Sequence, residues 1–215
     1  MTIEYRLETP DDYRETENMI REAFWNVYCP GCFEHFMLHQ IRQSSAFIES
    51  LDFVAVKDGR IIGNVISVQS YIEGDDGQKH TVLSLGPIGV LPAFQRTGVG
   101  RRLIELMRQQ AARMGYKAIL LCGDPAYYSK NGFEPAEKYF IRTKDNKFAA
   151  ALQILWLRNP NDKELAGRYF ENEIYEFDSQ EASLFDRQFP TKEKISGTPT
   201  QKRFDEVVAM QKDYF

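Results

Sequence analysis

Residues 81–122 read as a strand, a glycine-containing turn, a long amphipathic helix and a second strand, and this run constrains the fold more than any other part of the chain. The helix is the clearest element. Val99, Leu103, Met107, Ala111 and Met114 recur three or four residues apart and so share one face. Gly115 is a natural stop, because glycine tolerates the left-handed conformation that ends helices. Lys117–Cys122, KAILLC, is a short apolar run suited to a buried parallel strand. The stretch therefore predicts one βαβ unit. Its first strand, Thr81–Val90, contains Gly86-Pro87 and Gly89 and should be irregular in its second half. Proline cannot donate to a ladder, and glycine often marks a bulge.

Ahead of this unit, Ile3–Leu7 alternates like a short strand. Thr9-Pro10-Asp11-Asp12 reads as a helix start, with Thr9 as N-cap, Pro10 in the first turn and acids facing the helix dipole. That helix should run to about Trp25 or Val27, where Pro30-Gly31 breaks it. A second helix with Phe33, Phe36, Met37 and Ile41 at helical spacing should follow. Asp58-Gly59 between two apolar alternating runs predicts a hairpin. Gly74-Asp75-Asp76-Gly77 predicts another turn, giving a three-stranded antiparallel meander. Later strands are expected near Tyr139–Thr143 and Ala149–Leu157, a strand within Gly167–Phe177, a short helix at Ser179–Phe185 and polar loop at Lys192–Thr200. The expected organisation is a main domain over 1–157 and an extension over 158–215 packed on it.

The 215 residues carry 27 basic and 31 acidic side chains, a net charge of −4, which argues against bulk nucleic-acid binding. No apolar run is long enough to span a membrane, and the first residues lack the layout of a signal peptide, so a cytoplasmic protein is expected. Three cysteines are too few, and odd in number, for a disulfide framework.

Gln95-Arg96-Thr97-Gly98-Val99-Gly100 reads, by itself, either as a plain loop entering a helix with two glycines for the turn or as a phosphate-binding motif, and a lone G-x-G favours the plain loop. A helix N-terminus presents unpaired N–H groups and the positive end of the dipole, and so binds phosphate. Gly98 and Gly100 remove side chains where a diphosphate must touch the backbone, and Arg96 and Arg101 add charge-assisted donors. A dinucleotide fingerprint would need glycine where Leu103 stands, and the Gly-Lys-Ser/Thr of a P-loop is absent.

The stretch LGPIGVLPAFQRTGVGRRLIELM resembles the acyl-coenzyme A signature of the GNAT superfamily of N-acetyltransferases, Gln/Arg-x-x-Gly-x-Gly/Ala after an apolar-Val-x-Pro strand end. Tyr128-Ser129-Lys130-Asn131-Gly132-Phe133 resembles the family's second marker, a Tyr-x-x-x-Gly-Phe turn. GDPAYYSKNGF is similar to a bacterial subgroup of predicted acetyltransferases. The resemblance covers roughly residues 1–157. It implies an α/β (α+β) fold with a mixed, largely antiparallel sheet, helices on both faces and a βαβ acyl-coenzyme A-binding unit. It implies acetyl-coenzyme A as cosubstrate, held by Gln95, Arg96, Thr97, Gly98, Val99, Gly100 and Arg101, with Ile88 and Val90 offering backbone groups to the pantetheine arm. It implies transfer to a primary amine of a small molecule or peptide, by direct attack in a ternary complex, with Tyr128 donating to the leaving sulfur. A homodimer is compatible with this family; nucleic acid and membrane are not expected partners.

The attacking amine must be neutral, so a base is needed. Glu34, opening the second helix where this fold lines its acceptor cleft, is the first candidate, and Glu73 is another. Cys29-Pro30-Gly31-Cys32, followed by His35 and His39, has ligand types that invite a zinc reading, but the two-residue gap between the pairs is shorter than zinc fingers use. The expectation is therefore no metal, with this segment shaping the acceptor site. The competing reading of the whole chain is a non-catalytic acyl-coenzyme A sensor or a Cys/His metal-binding module.

Overall fold

A computed structural model describes residues 2–159 and 164–214. In chain order the elements are β1 (Glu4–Leu7), α1 (Tyr13–Phe24), α2 (Glu34–Gln43), β2 (Asp52–Lys57), β3 (Arg60–Gly74), β4 (Lys79–Val90), α3 (Val99–Arg113), β5 (Ala118–Cys122) and α4 (Pro125–Tyr128). There follow β6 (Glu134–Pro135), β7 (Ile141–Arg142), β8 (Lys147–Ala149), β9 (Leu152–Trp156), β10 (Gly167–Phe170), α5 (Ser179–Asp186), α6 (Pro199–Ala209) and β11 (Gln211–Asp213). This is the mixed, largely antiparallel α/β architecture expected from the sequence. The chain divides into two compact units: residues 1–68, 86–107 and 173–202 in one, residues 69–85, 108–172 and 203–215 in the other.

In the first unit β1 pairs antiparallel with β2, and β2 with β3 across the Asp58-Gly59 turn. Asp58 and Gly59 both have positive φ, 53° and 75°, as a type I′ turn demands. Helix α1 is preceded by a single 3-10 turn at Pro10–Asp12, where the Thr9 N–H donates to Asp12 Oδ2 at 2.9 Å. Two glycines permit close packing. A Cβ on Gly89 would stand 2.7 Å from Ile20 Cδ1, so α1 lies directly on β4. A Cβ on Gly63 would stand 3.1 Å from both Val99 Cγ1 and Leu103 Cδ1, so α3 lies directly on β3. Buried between helices and strands, Arg42 of α2 reaches Glu8 with N–O distances of 2.5 and 2.6 Å and sits over the Tyr13 ring.

In the second unit β4 and β5 are parallel, with Leu83 beside Ile119 and Ser84 beside Leu120. Strand β9 pairs antiparallel with β5 and with β6, and β10 pairs antiparallel with β3. One core of Ile72, Val82, Leu120, Tyr139, Ile154 and Trp156 lies under these strands.

The departures from the sequence reading fall late in the chain. The run 149–157 is interrupted by a turn at 150–151, so it forms the end of β8 and then β9. The strand expected within 167–177 is present as β10, and a 3-10 turn at Glu173–Tyr175 follows it. The polar segment from Lys192 is loop only to Thr198. Pro199 opens α6, with the Thr198 carbonyl accepting from the Lys202 N–H at 3.1 Å, and β11 then pairs with β8.

Candidate active site

The first unit holds the turn that starts α3. Strand β4 ends at Val90, and the Leu91 N–H donates to Ile62 O at 2.9 Å, which ties the loop entrance to β3. A single 3-10 turn at Pro92–Phe94 follows. Gln95 Nε2 then donates back to Val90 O at 3.0 Å, and Thr97 Oγ1 donates to Phe94 O at 2.7 Å. The backbone here is left-handed at Arg96 (φ 62°) and Gly98 (φ 95°). The Gly98 carbonyl accepts the first bond of α3, from the Arg102 N–H at 3.0 Å. Helix geometry therefore leaves the N–H groups of Val99, Gly100 and Arg101 without an acceptor inside the helix. Gly98 is exposed and no atom lies within 4 Å of where its Cβ would stand, so a ligand can approach the backbone there. Arg96, Arg101 and Arg102 are exposed around the same helix start. All nine residues expected to hold the cosubstrate lie in this unit; Ile88 and Val90 are half-buried near the end of β4, and Gly86 ahead of them accepts a hydrogen bond from Tyr175 Oη at 2.8 Å.

Glu34 belongs to the same unit, as the first residue of α2. Its Oε2 accepts from the Phe33 N–H at 3.0 Å. Desolvation by the surrounding protein raises its pKa to about 7, against the smaller opposing effect of backbone hydrogen bonds. A carboxyl with such a value can be ionised near neutrality and still hold a proton usefully. Glu73, the other acidic candidate, is in the second unit and is engaged with Arg168 at 2.6 Å.

The Cys29–Cys32 segment is a tight loop closed by Asn26, whose Oδ1 accepts from the Gly31 N–H at 2.8 Å and whose N–H donates to Gly31 O at 2.8 Å. Gly31 has φ 85° and Lys194 packs where its side chain would be. Beyond the loop the polar groups are turned to separate partners. Cys32 Sγ is buried and lies 3.5 Å from His35 Nδ1, and His35 Nε2 lies 3.1 Å from Asp186 Oδ1. Asp186 pairs with the buried Arg21, with Nε to Oδ1 at 2.6 Å. His39 instead faces Glu17 Oε1 at 2.8 Å and Gln43 at 2.7 Å. Burial pushes the Cys32 thiol up and the His35 imidazole down to about 4, so both are neutral at pH 7. Among the described residues no three His, Cys, Asp or Glu side chains are arranged to hold a metal. This chain of groups anchors α5 against α1 and α2 rather than presenting a nucleophile.

Tyr128 belongs to the second unit, at the end of α4. Asp124 builds this turn: its Oδ1 accepts from the Ala126 N–H at 2.9 Å, and its carbonyl accepts from Tyr127 and Tyr128 at 3.0 and 3.2 Å. Gly132, left-handed with φ 86°, then returns the chain so that the Phe133 N–H donates to Tyr128 O at 3.2 Å. The half-buried Tyr128 ring packs edge-on to Tyr127 and Phe133, with centroids 4.9 and 5.5 Å away, and lies over the backbone of Gly123. Tyr127 is the exposed member of the pair. Sequence reasoning overlooked Asp124 and its partner Arg203, although Asp124-Pro125 carries the same cap-then-proline signature that marks Thr9-Pro10.

Residues 49–135 match the family model described as an acetyltransferase (GNAT) domain. The chain is 27% identical over 150 residues to the uncharacterized N-acetyltransferase YhbS of Escherichia coli strain K12, covering 69% of this chain and 84% of that protein. The crystal structure of YhbS in complex with CoA superposes with a TM-score of 0.71 at 24% identity, over 81% of this chain and 92% of the other, and supports the fold. A GNAT family acetyltransferase from Brucella melitensis, crystallised with acetyl-CoA, superposes with a TM-score of 0.65 at 25% identity, over 81% of this chain and 98% of that one.

Proposed function

We propose that the chain is an acetyltransferase of the GNAT superfamily and that it transfers acetyl from acetyl-CoA to a primary amine by direct attack in a ternary complex. The observation that carries the reading is the start of α3. A left-handed turn through Arg96 and Gly98 starts a helix whose first three N–H groups have no acceptor within it, beside an exposed Gly98 and exposed arginines. Such a cradle suits a diphosphate, and the Brucella melitensis relative was crystallised with the cosubstrate that carries one.

In this reading Gln95, Arg96, Thr97, Gly98, Val99, Gly100 and Arg101 hold the diphosphate. Gln95 acts less by touching it than by fastening the loop to the Val90 carbonyl. Ile88 and Val90 offer main-chain groups to the pantetheine amides. Support comes from the short parallel register of β4 with β5, after which β4 runs on to Val90. The Val90 N–H serves as donor to the thioester carbonyl, where negative charge develops during attack. Tyr128 donates a hydrogen bond to the leaving sulfur. Full proton transfer from a phenol of pKa about 10 to a thiolate whose acid has pKa about 8.5 is uphill by roughly 2 kcal/mol, so Tyr128 lowers the barrier modestly. Glu34, with its pKa near 7, takes the proton from the incoming ammonium through water.

Thiol release from acetyl-CoA should be measured across a panel of amines containing spermidine, phenylethylamine and a lysine-bearing peptide. Saturable release with at least one amine is expected, with loss of affinity for acetyl-CoA in Arg96→Ala. Calorimetric binding of acetyl-CoA without release for any amine would favour a non-catalytic sensor instead.

A further inference from the structure

We propose that Arg203, on the C-terminal helix α6, is a positioning residue for Tyr128, acting through Asp124. This rests on the reading of Tyr128 as the hydrogen-bond donor to the leaving thiol. Tyr128 stands on α4, only one turn long, and a turn that short does not hold its shape without a cap. Its cap is the Asp124 carboxylate, whose Oδ1 accepts from the Ala126 N–H. The same carboxylate is gripped by Arg203, with Nε to Oδ2 at 2.9 Å and an Nη to Oδ1 at 3.1 Å. Two N–H donors on one rigid fork fix the plane of a carboxylate, not merely its charge. Oδ1 is shared between the guanidinium and the helix cap, so turning the carboxylate away from Arg203 takes Oδ1 away from Ala126. The guanidinium is also the first cause of the lowered Asp124 pKa, so the cap stays an ionised acceptor further into the acid range than a free aspartate. One turn further on, the Tyr128 ring lies over Gly123, the residue before the cap. A rotation of the Asp124 peptide would therefore disturb the surface on which the ring rests.

A residue far along the chain from the acetyltransferase motifs would thus set the aim of the phenol. The test uses the full chain with Arg203→Ala and Arg203→Lys, each made also in a Tyr128→Phe background. Amide hydrogen exchange at Ala126–Tyr128 is read alongside kcat and KM for acetyl-CoA, with whichever amine of the panel releases thiol fastest. Arg203→Ala should speed exchange at these amides about fivefold, the loss expected when a cap is weakened. It should lower kcat by about three- to tenfold while KM for acetyl-CoA stays within about twofold, with partial recovery in Arg203→Lys, which keeps the charge but not the fork. In the Tyr128→Phe background Arg203→Ala should change kcat little, since the group being aimed is gone. Unchanged exchange with unchanged kcat, or an equal loss in both backgrounds, would overturn the proposal. If Tyr128→Phe alone keeps full kcat, the role of Tyr128 falls and this inference with it. A deficient Tyr128→Phe beside a silent Arg203→Ala would sink only the inference.

Discussion

Gly123→Ala is the sharpest probe of how Tyr128 is held. The backbone at Gly123 is not in the left-handed region, so alanine meets no conformational penalty there. What it meets is a ring: the new Cβ would lie 2.9 Å from Tyr128 Cδ2 and closer still to Cε2, with Leu121 Cδ1 at 3.2 Å. Carbon atoms prefer about 3.5–4.0 Å, so the ring must retreat by roughly 1 Å. Phe133 and Tyr127 stand edge-on to it and limit the retreat. Overpacking of this kind costs about 1–3 kcal/mol. At roughly 2–4 °C per kcal/mol for a chain of this size, the thermal midpoint should fall by about 2–12 °C. A displacement of about 1 Å can reduce the rate by up to about 100-fold; in the proposed role Tyr128 supplies only part of the acceleration, so kcat should drop toward that of Tyr128→Phe and not below it. Differential scanning calorimetry and thiol-release kinetics read both. In a Tyr128→Ala background the ring is gone, and adding Gly123→Ala should alter stability by less than about 0.5 kcal/mol. An unchanged midpoint for Gly123→Ala, or the same penalty in both backgrounds, would refute the packing argument.

Glu34→Gln should lower kcat/KM and remove the limb of its pH profile that rises through about pH 7, the value to which burial lifts this carboxyl; a wild-type profile in the variant would discard Glu34 as base. Gly98→Ala has room for its methyl group but must hold φ 95°, so it should cost about 1–2 kcal/mol of stability in the left-handed region, relieved only by opening the turn, with acetyl-CoA affinity in calorimetry falling as well. Arg42→Ala should destabilise by about 3–5 kcal/mol in urea melts, because it strands the buried Glu8 carboxylate. His35 is held at about 4, below its ordinary value of 6.5, so the unfolded chain binds the extra proton first; the stability contributed by neutral His35 is complete above about pH 6.5 and is lost as pH falls toward 4. In His35→Gln the melting midpoint should lose most of that part of its acid dependence.

Local rules made much of the chain legible. The α3 stripe from Val99 to Ala111 and the Asp58-Gly59 turn depend on neighbours a few residues away and stand where the sequence places them, whereas Met114 lies exposed just past α3 and Pro10 opens a 3-10 turn ahead of α1. The helix start proposed to hold the diphosphate is equally local, since a left-handed glycine followed by an amphipathic stripe suffices to build a helix start whose first N–H groups lack helical acceptors. Glu34 was a candidate by its position alone; its raised pKa comes from what packs around it, which no spacing reveals. The Cys29–His39 segment looked like a ligand set because side chains of the right types are close in sequence. Tertiary structure gave each a different partner, with His35 drawn to Asp186, 151 residues further along, and His39 to Glu17. The Arg203–Asp124 grip was invisible for the same reason. An arginine and an aspartate 79 residues apart, both half-buried, carry no pattern until folding sets them side by side, because long-range pairing depends on where whole elements come to rest and not on the preferences of any one residue.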